Sequence, residues 1–268
     1  MKTAIVVVGA NGRMGKTITG LAAADPELYL AGLVDCRERT RGLAAFGCPA
    51  GDSLEAILRE APQAVVVDFT TPSASLQSAH TAAEMGHSLV IGTTGFTDEQ
   101  MRQLRDLAEK TPVFWSSNMS VGVNVILKIL PELTRALGGK YDVEIVELHH
   151  NRKKDSPSGT ALALGACLAK ARGWNFSETR CFSRDGIIGE RPRAQIGIQA
   201  VRGGDVAGVH TIYFLGQGER IELCHQAHSR ENFAQGALRA ARWIAGQKPG
   251  KLYGMQDLLN KPPRMKTC

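Results

Sequence analysis

Short apolar runs alternate with helical patterns through the first half of the chain, and this alternation constrains the fold more than any other feature. The apolar runs lie at 3–8, 29–34, 64–69, 88–91 and 112–115. The helical patterns between them lie near 13–24, 52–60, 73–85 and 97–109. Runs of this kind suit strands that are buried on both faces of a parallel sheet. We therefore predict an α/β fold with a doubly wound, Rossmann-like parallel sheet, whose ligands bind at the carboxyl ends of the strands.

The pattern changes in the second half, after a pair of glycines at 138 and 139. Strand candidates then lie at 142–148, 195–201, 209–215 and 220–225, with one helix at about 158–172. This order predicts a second, α+β domain on a mixed or antiparallel sheet. We place a dinucleotide-binding domain at 1–119 and a substrate-binding domain at 120–240. A last helix lies at about 230–245, and we expect a tail at about 241–268 to pack back on the first domain.

A glycine-rich turn joins the first predicted strand to the first predicted helix. Its sequence, G-A-N-G-R-M-G at 9–15, permits a tight bend and a close approach of a pyrophosphate to backbone N–H groups. Asn11 stands where the commoner G-x-G-x-x-G motif has its second glycine, and asparagine tolerates a left-handed conformation. Asp35 closes the second strand, where an acidic side chain can bind a ribose hydroxyl. This order favours a dinucleotide site over the alternative, a structural turn followed by a helix-capping aspartate.

Three arginines bear on the choice of cofactor. Asp35 favours NAD, because it can accept from the ribose hydroxyl. In contrast, Arg13, Arg37 and Arg39 could each pair with the 2′-phosphate of NADP, or lie in solvent. We interpret the chain as one that uses both cofactors.

Two further strand ends fit the same crevice. The sequence G-T-T-G at 92–95 follows the fourth strand, and its backbone could lie against a nicotinamide ring. The sequence S-S-N-M at 116–119 follows the fifth strand and could bind the carboxamide. The alternative for each is an ordinary turn between a strand and a helix.

Two histidines and a lysine follow the strand candidate at 142–148. The ordinary pKa of histidine, about 6.5, suits His149 to proton transfer around neutrality. His150 would point the other way if the strand continued, so only one of the two can face a given pocket. Lys153 supplies a positive charge or a proton.

A helix start comes directly after these groups. The sequence S-P-S at 156–158 indicates a first helical turn that contains proline. The N–H groups of Gly159 and Thr160 would then be donors suited to a carboxylate. A substrate with one carboxylate there and a second near Lys153 or His150 would be well held.

Taken alone, this segment permits a metal site, a solvated basic loop or an acid/base centre. Adjacent histidines are a poor spacing for two metal ligands from one strand, and Asp155 or Glu147 would complete a site only by coincidence. We interpret Glu144 and Glu147 as structural partners of Lys153 and Lys154. The dinucleotide crevice upstream favours the acid/base centre, because the segment then has a hydride source to face.

The composition argues against several other classes of protein. The longest apolar run, near 4–8, is far shorter than a membrane span and leads too directly into the glycine turn for a signal peptide. The six cysteines show no C-x-x-C pair, so we expect reduced thiols in a cytoplasmic protein and no metal site. The net charge is +6, but basic residues are scattered and aromatic residues are sparse, which favours anionic small molecules over nucleic acid as partners.

The order of residues from Glu144 to Ala161 resembles the signature of the 4-hydroxy-tetrahydrodipicolinate reductase (dihydrodipicolinate reductase) family of bacterial and plant lysine biosynthesis. The residues that carry the resemblance are Glu144, Glu147, His149, Lys153, Asp155, Pro157, Ser158, Gly159, Thr160 and Ala161. The resemblance extends over essentially the full length and includes the opening G-A-x-G-R-M-G, the GTTG turn, an S-x-N-x-S-x-G loop and the closing helix.

The resemblance implies a role for each candidate residue. His149 is the acid/base residue and Lys153 is the proton donor. The substrate carboxylates are bound by His150, Gly159 and Thr160. The cofactor, which is NADH, NADPH or both, is held by Gly9, Ala10, Asn11, Gly12, Arg13, Met14, Asp35, Gly92, Thr93, Thr94, Ser116, Ser117, Asn118 and Met119.

The resemblance also implies a homotetramer that is joined through the second domains. The chain departs from the family at Cys36, where some relatives carry an arginine beside the ribose-binding acid. This departure argues against a strong preference for NADPH, although Arg37 or Arg39 could take the place of that arginine.

The implied reaction is the NAD(P)H-dependent reduction of 4-hydroxy-tetrahydrodipicolinate, a small dicarboxylate, to tetrahydrodipicolinate in the diaminopimelate route to lysine. The 4-hydroxyl leaves as water, hydride reaches ring C4, and the remaining enamine is protonated near the imine nitrogen. One alternative is another two-domain dehydrogenase, of the aspartate or homoserine type, which has no reason to carry this segment. The other is a nucleotide-sensing regulatory protein, which would need a recognition helix or a basic arm.

Overall fold

The computed structural model describes residues 2–260 and divides them into two compact units. The first unit contains 2–121 and 230–260, and the second is Gly122–Ser229. Across this described part of the chain, no helix is long and apolar enough to cross a bilayer. Each unit has its own sheet and its own hydrophobic core.

Strands and helices alternate along the first unit, as the sequence predicts. The elements up to residue 115 are β1 (Thr3–Val8), α1 (Arg13–Ala24), β2 (Leu28–Val34), β3 (Ala50–Gly51), α2 (Leu54–Glu60), β4 (Val65–Asp68), α3 (Pro72–Glu84), β5 (Leu89–Ile91), α4 (Asp98–Ala108) and β6 (Val113–Trp115). All of them except β3 match a predicted run to within about two residues. A strand as short as β3 has no periodicity by which it could be predicted.

The chain then forms the second unit and returns to the first. The elements up to residue 227 are α5 (Val121–Leu137), β7 (Asp142–His149), α6 (Gly159–Arg172), α7 (Phe176–Thr179), β8 (Arg180–Cys181), β9 (Ile196–Arg202), β10 (Gly208–Leu215) and β11 (Arg220–Ala227). The elements of the returning segment are α8 (Glu231–Ile244), β12 (Leu252–Tyr253) and α9 (Met255–Asn260).

The sheet of the first unit has seven strands in the order β12-β6-β5-β4-β1-β2-β3, and all neighbours are parallel. Ile5 and Val7 of β1 belong to one buried cluster, while Val6 and Val8 belong to another. Both faces of the strand are therefore covered, which is why its sequence is apolar throughout. The predicted doubly wound parallel sheet is confirmed.

Helix α8 belongs to the first unit, so the structural boundary lies at Ser229, earlier than the predicted 240. Ala234, Ala237 and Ala241 of this helix are buried in the same cluster as β1. The helix therefore completes the first core, which the amphipathic pattern alone did not reveal. Residues 261–268 of the predicted tail, including Cys268, lie outside the described residues.

The second sheet is mixed, as predicted, with the order β11-β10-β7-β9-β8. Strand β10 is antiparallel to β7 and β11, while β7, β9 and β8 are parallel. Along β7, the buried side chains are those of Val143, Ile145, Glu147 and His149. Successive residues of a strand point to opposite faces, so Glu147 and His149 share the face that packs against α5 and α6.

Candidate active site

The glycine turn between β1 and α1 is built by close backbone contacts. Gly9 adopts a left-handed conformation with φ of 71°, which bends the chain as β1 ends. A Cβ on Gly15 would lie 2.0 Å from the Gly9 carbonyl oxygen, so only glycine allows α1 to start this close to the turn. The first-turn N–H groups of α1 have no acceptor within the helix and suit a pyrophosphate. The residues present therefore fit a dinucleotide phosphate.

Asp35 follows β2 and is held beside this turn. Its carboxylate accepts the N–H of Asn11 at 2.7 Å and the N–H of Cys36 at 2.8 Å. The side-chain amide of Asn11 in turn donates to the backbone carbonyls of Arg39 and Arg41. The backbone of Asn11 does not adopt the left-handed conformation that the sequence allowed, since Gln63 is the only non-glycine residue with positive φ in 2–260. Its side chain instead ties the turn to the arginine-bearing segment after β2.

The ends of β4 and β5 are joined through Asp68, a carboxylate with 0% exposure, and Thr93 connects them to β6. Oδ1 of Asp68 accepts the N–H of Thr70 at 2.9 Å, the Thr70 hydroxyl at 2.7 Å and the Thr93 hydroxyl at 3.3 Å. The indole of Trp115 donates to the carbonyl of Thr93 at 3.0 Å. A Cβ on Gly92 would lie 2.1 Å from the ring of Phe69, so the segment after β5 depends on this glycine. Asp68 and Thr70 were not assigned a role from the sequence.

The segment after β6 is held by its own polar groups. The Ser116 hydroxyl donates to the Asn118 carbonyl at 2.7 Å, and the Asn118 side chain accepts the N–H of Ser120 at 2.8 Å. Ser117 is exposed, whereas Met119 is 1% exposed and its side chain lies in the core of the unit. Only the backbone of Met119 is therefore left to face a cofactor.

The predicted cofactor residues thus lie in four segments, which follow β1, β2, β5 and β6 in one parallel sheet. The carboxyl ends of parallel strands share one edge, where open α/β sheets bind their ligands. Thr94 is exposed there and Thr93 is 4% exposed.

In the second unit, the imidazole of His149 is held by the carboxylate of Glu147. Nδ1 of His149 lies 2.6 Å from Oε2 of Glu147, and Glu147 has 0% exposure. Among residues 2–260, Nε2 of His149 has no protein hydrogen-bond partner. A Cβ on Gly208 would lie 3.0 Å from Nε2, so the glycine leaves space beside this nitrogen.

The Glu147 carboxylate is saturated by donors. Besides His149, it accepts two hydrogen bonds of 2.7 Å from the guanidinium of Arg202 and one of 2.9 Å from the N–H of Ser158. Burial by itself would raise the pKa of Glu147, but the donated hydrogen bonds outweigh burial and lower that pKa to about 2. Glu147 is therefore a fixed anion that can only accept hydrogen bonds.

Ser158 connects this network to helix α6. It is the N-cap residue, and its hydroxyl accepts the N–H of Ala161 at 3.2 Å. The same hydroxyl lies 2.9 Å from Nε2 of His210, whose ring meets that of His149 edge-on at 5.1 Å between centroids. Pro157 precedes the cap, so the prediction of proline within the first helical turn was wrong.

Lys153 lies in the loop between β7 and α6. Its ammonium donates to Asp155 at 2.8 Å, and this hydrogen bond lowers the pKa of Asp155. The N–H of His150 donates to the carbonyl of Val206, which holds the residue after β7 against the segment before β10. Gly159 and Thr160 are the first two residues of α6, where we predicted carboxylate donors.

Several functional contacts were missed from the sequence. The interpretation of Glu147 as a partner of Lys153 or Lys154 was wrong, because its partners are His149 and Arg202. Only the spacing of Glu147 and His149, two residues apart on one strand, could have indicated their contact. In the described part of the chain, no group of histidine, cysteine, aspartate and glutamate side chains is arranged to hold a metal ion.

Two family models match the chain, one for each half. The model described as the N-terminus of dihydrodipicolinate reductase matches 3–119, and the model of its C-terminus matches 122–259. A 4-hydroxy-tetrahydrodipicolinate reductase of Desulfovibrio desulfuricans is 70% identical over 258 residues, which cover 96% of this chain and 100% of the relative. The enzyme of the same name from Nitratidesulfovibrio vulgaris is 59% identical, with the same two coverages.

Solved structures give a consistent comparison. A dipicolinate-bound dihydrodipicolinate reductase from Paenisporosarcina sp. TG-14 matches with a TM-score of 0.76 and 25% identity, over 96% of this chain and 99% of that one. A probable dehydrogenase from Thermotoga maritima matches with a TM-score of 0.61 and 13% identity, over 95% and 92% of the two chains. The second likeness shows the fold alone.

Proposed function

The chain belongs to the dihydrodipicolinate reductase family, and we propose that it reduces 4-hydroxy-tetrahydrodipicolinate to tetrahydrodipicolinate with a nicotinamide dinucleotide. This makes it an oxidoreductase, 4-hydroxy-tetrahydrodipicolinate reductase, of the diaminopimelate route to lysine. In the reaction the 4-hydroxyl leaves as water, hydride adds to ring C4 and one proton is consumed.

The arrangement around His149 carries this proposal. Its Nδ1 is bound by Glu147, which leaves Nε2 as the nitrogen that can give or take a proton. Lys153 and the start of α6 lie in the segment that follows the same strand. A proton-transfer group, a cation and a helix N-terminus are the parts that protonation of an anionic dicarboxylate requires.

The first unit would hold the cofactor. Gly9, Ala10, Asn11, Gly12, Arg13 and Met14 would bind the pyrophosphate, Asp35 the ribose, and the segments at 92–94 and 116–119 the nicotinamide end. When bound, the reduced nicotinamide supplies the hydride.

The second unit would hold the substrate and manage protons. His149 accepts or donates a proton at Nε2, and Lys153 donates one from Nζ toward the ring nitrogen. His150 and the N–H groups of Gly159 and Thr160 bind the two carboxylates, since the positive end of a helix dipole favours an anion. The dipicolinate in the related structure supports a substrate of this class.

We further propose that both NADH and NADPH are used. The carboxylate of Asp35 suits the ribose hydroxyls of NADH, while Arg37 and Arg39 lie in the segment after it, where guanidinium groups can pair with a 2′-phosphate.

A homotetramer joined through the second units also belongs to the proposal. On the sheet face opposite α5 and α6, the exposed Val201 of β9 (47%) pairs with Leu148 of β7, and Leu148 pairs with Val209 of β10, so three apolar side chains adjoin on this face. Such a surface favours association. Light scattering coupled to size-exclusion chromatography measures the mass of the assembly, and we expect the mass of four chains.

A cytoplasmic location completes the proposal. The five described cysteines are free thiols, which is typical of a reducing compartment. Thiol titration of protein isolated without reductant tests this expectation.

The function is tested by supplying the product of dihydrodipicolinate synthase and following nicotinamide absorbance, with NADH and NADPH compared. We expect substrate-dependent oxidation of both. Oxidation with aspartate-semialdehyde or another amino-acid intermediate, and none with this substrate, would support a different dehydrogenase instead.

A further inference from the structure

We propose that Glu147 is the positioning residue of the active site, and that it fixes the hydrogen of His149 on Nδ1 while it anchors the start of α6. This inference rests on the proposed role of His149 in proton transfer. It explains why Nε2 is the nitrogen of His149 that reacts. It also explains how the proton-transfer site and the carboxylate-binding site are held together.

The contact follows from the strand itself. Glu147 and His149 lie two residues apart on β7 and therefore share a face. Their separation of 2.6 Å between Oε2 and Nδ1 is that of a strong, charge-assisted hydrogen bond. Since the carboxylate has 0% exposure, water does not compete for it.

The chemistry of the carboxylate decides the tautomer. Glu147 receives hydrogen bonds from three different groups, and its low pKa keeps it an anion that has no hydrogen to donate. Nδ1 of His149 must therefore carry the hydrogen in the contact. In the neutral imidazole the lone pair is then on Nε2, the nitrogen beside Gly208.

The two oxygens of Glu147 serve different parts of the site. Oε2 binds His149, while Oε1 accepts the N–H of Ser158, which caps α6. Arg202 donates to both oxygens and fixes the plane of the carboxylate. One side chain thereby sets the position of the acid/base nitrogen relative to the first turn of α6, where a substrate carboxylate would bind.

The substitution Glu147→Gln separates this role from simple packing. An amide has one oxygen and one NH₂ group, but all partners of Glu147 are donors. The N–H of Ser158 cannot change, whereas His149 can move its hydrogen from Nδ1 to Nε2. We therefore expect the amide oxygen to face Ser158 and the amide NH₂ to face Nδ1, which reverses the tautomer. A reversed tautomer is the known effect of replacing the aspartate of a serine-protease triad by asparagine.

The experiment is ¹⁵N NMR of the histidine rings, recorded at rising pH until the nitrogen chemical shifts show the neutral form, combined with steady-state kinetics. In the native protein we expect the Nδ1–H form of His149, assigned by the loss of its signals in His149→Gln. In Glu147→Gln we expect the Nε2–H form, turnover about 10²–10⁴-fold lower, and a substrate KM within about threefold of native.

Glu144→Gln is the matched control. Glu144 lies on the same strand but on the opposite face, and its carboxylate is bound by Arg184 and Arg191 rather than by a histidine. We expect its His149 ring signals and turnover to match those of the native protein.

Two results would overturn the inference. One is the Nε2–H form of His149 in the native protein, a measurement that does not depend on whether any variant folds. The other is a folded Glu147→Gln protein with native turnover. Full activity of His149→Gln would instead contradict the proposed role of His149 in proton transfer, while the tautomer result would stand. Failure of the proposed function itself would appear as no substrate-dependent oxidation of either cofactor by the native protein.

Discussion

His210 Nε2 lies 2.9 Å from the hydroxyl oxygen of Ser158, the residue that caps helix α6. The imidazole is 5% exposed, and its Nδ1 has no hydrogen-bond partner among the described residues. Burial lowers the pKa of His210 to about 4, and the neighbouring His149 adds to the effect. A neutral histidine thus supports the helix start where we propose that substrate binds.

Stability should consequently fall as the pH drops from about 6.5 to 4. The unfolded chain binds a proton at His210 near the ordinary pKa of 6.5, but the folded protein binds it only near 4. We expect a loss of about 2 kcal/mol in the free energy of unfolding between pH 7 and 5 from this group. Glu147, with a pKa of about 2, adds to the loss only below its ordinary pKa of 4.5.

Urea denaturation at pH 7 and pH 5 measures this effect. The variant His210→Gln should lose less stability than the native protein over that interval. The variant His80→Gln, at an exposed position on α3, should keep the native difference. An equal loss in all three proteins would contradict the assignment to His210.

The two proposed proton-transfer residues should each be needed for turnover. We expect His149→Gln or Lys153→Ala to lower kcat by about 10²–10⁴-fold, the usual range for a general acid or base. Lys154→Ala is the control, because Lys154 is the adjacent lysine and is exposed. Near-native turnover of folded His149→Gln and Lys153→Ala would remove both roles.

Local sequence patterns were sufficient to predict the elements that follow one another directly along the chain. The strand β1, the glycine turn and the helix α1 follow one another in the chain, so hydrophobic periodicity and glycine spacing are sufficient to find them. The contacts of Glu147 with Arg202 and of Ser158 with His210 join separate strands and loops, and they depend on sheet register. A single sequence contains no signal for that register.

The domain boundary shows the same limit. The amphipathic pattern of α8 indicates that one face of this helix is buried, but not which core receives it. Its alanines pack into the first core, after the chain has completed the second sheet. The sequence predicted helix α8 correctly, but the predicted boundary at 240 placed most of this helix in the second unit instead of the first.

Gly15 should tolerate no side chain. A Cβ there would lie 2.0 Å from the Gly9 carbonyl oxygen and 2.8 Å from Cα of Ala10, so Gly15→Ala must push α1 away from the turn. We expect a loss of about 1–3 kcal/mol in stability, together with at least about tenfold weaker dinucleotide binding. Gly20→Ala is the matched control on the same helix, since nothing lies within 4 Å of its Cβ position. It should instead be about 0.5–1 kcal/mol more stable, as alanine favours a helix. Thermal denaturation and NADH fluorescence titration distinguish the two.

Asn11 should influence the choice between NADPH and NADH. Its side-chain amide donates to the carbonyls of Arg39 and Arg41, whereas its backbone N–H donates to Asp35. The substitution Asn11→Ala removes the first set of hydrogen bonds and keeps the second. The segment that carries the arginines would lose its tie to the glycine turn, at a cost of about 1–2 kcal/mol. We expect NADPH to bind about tenfold more weakly and NADH to bind within about twofold of native. Fluorescence titration of both cofactors gives the two dissociation constants.

The control is Thr17→Ala, which removes a hydrogen bond to the Arg13 carbonyl within α1 and leaves the arginine segment untouched. Equally weaker binding of both cofactors to Asn11→Ala would show that the side chain shapes the glycine turn, which both cofactors would share. It would not then act on the proposed site of the 2′-phosphate.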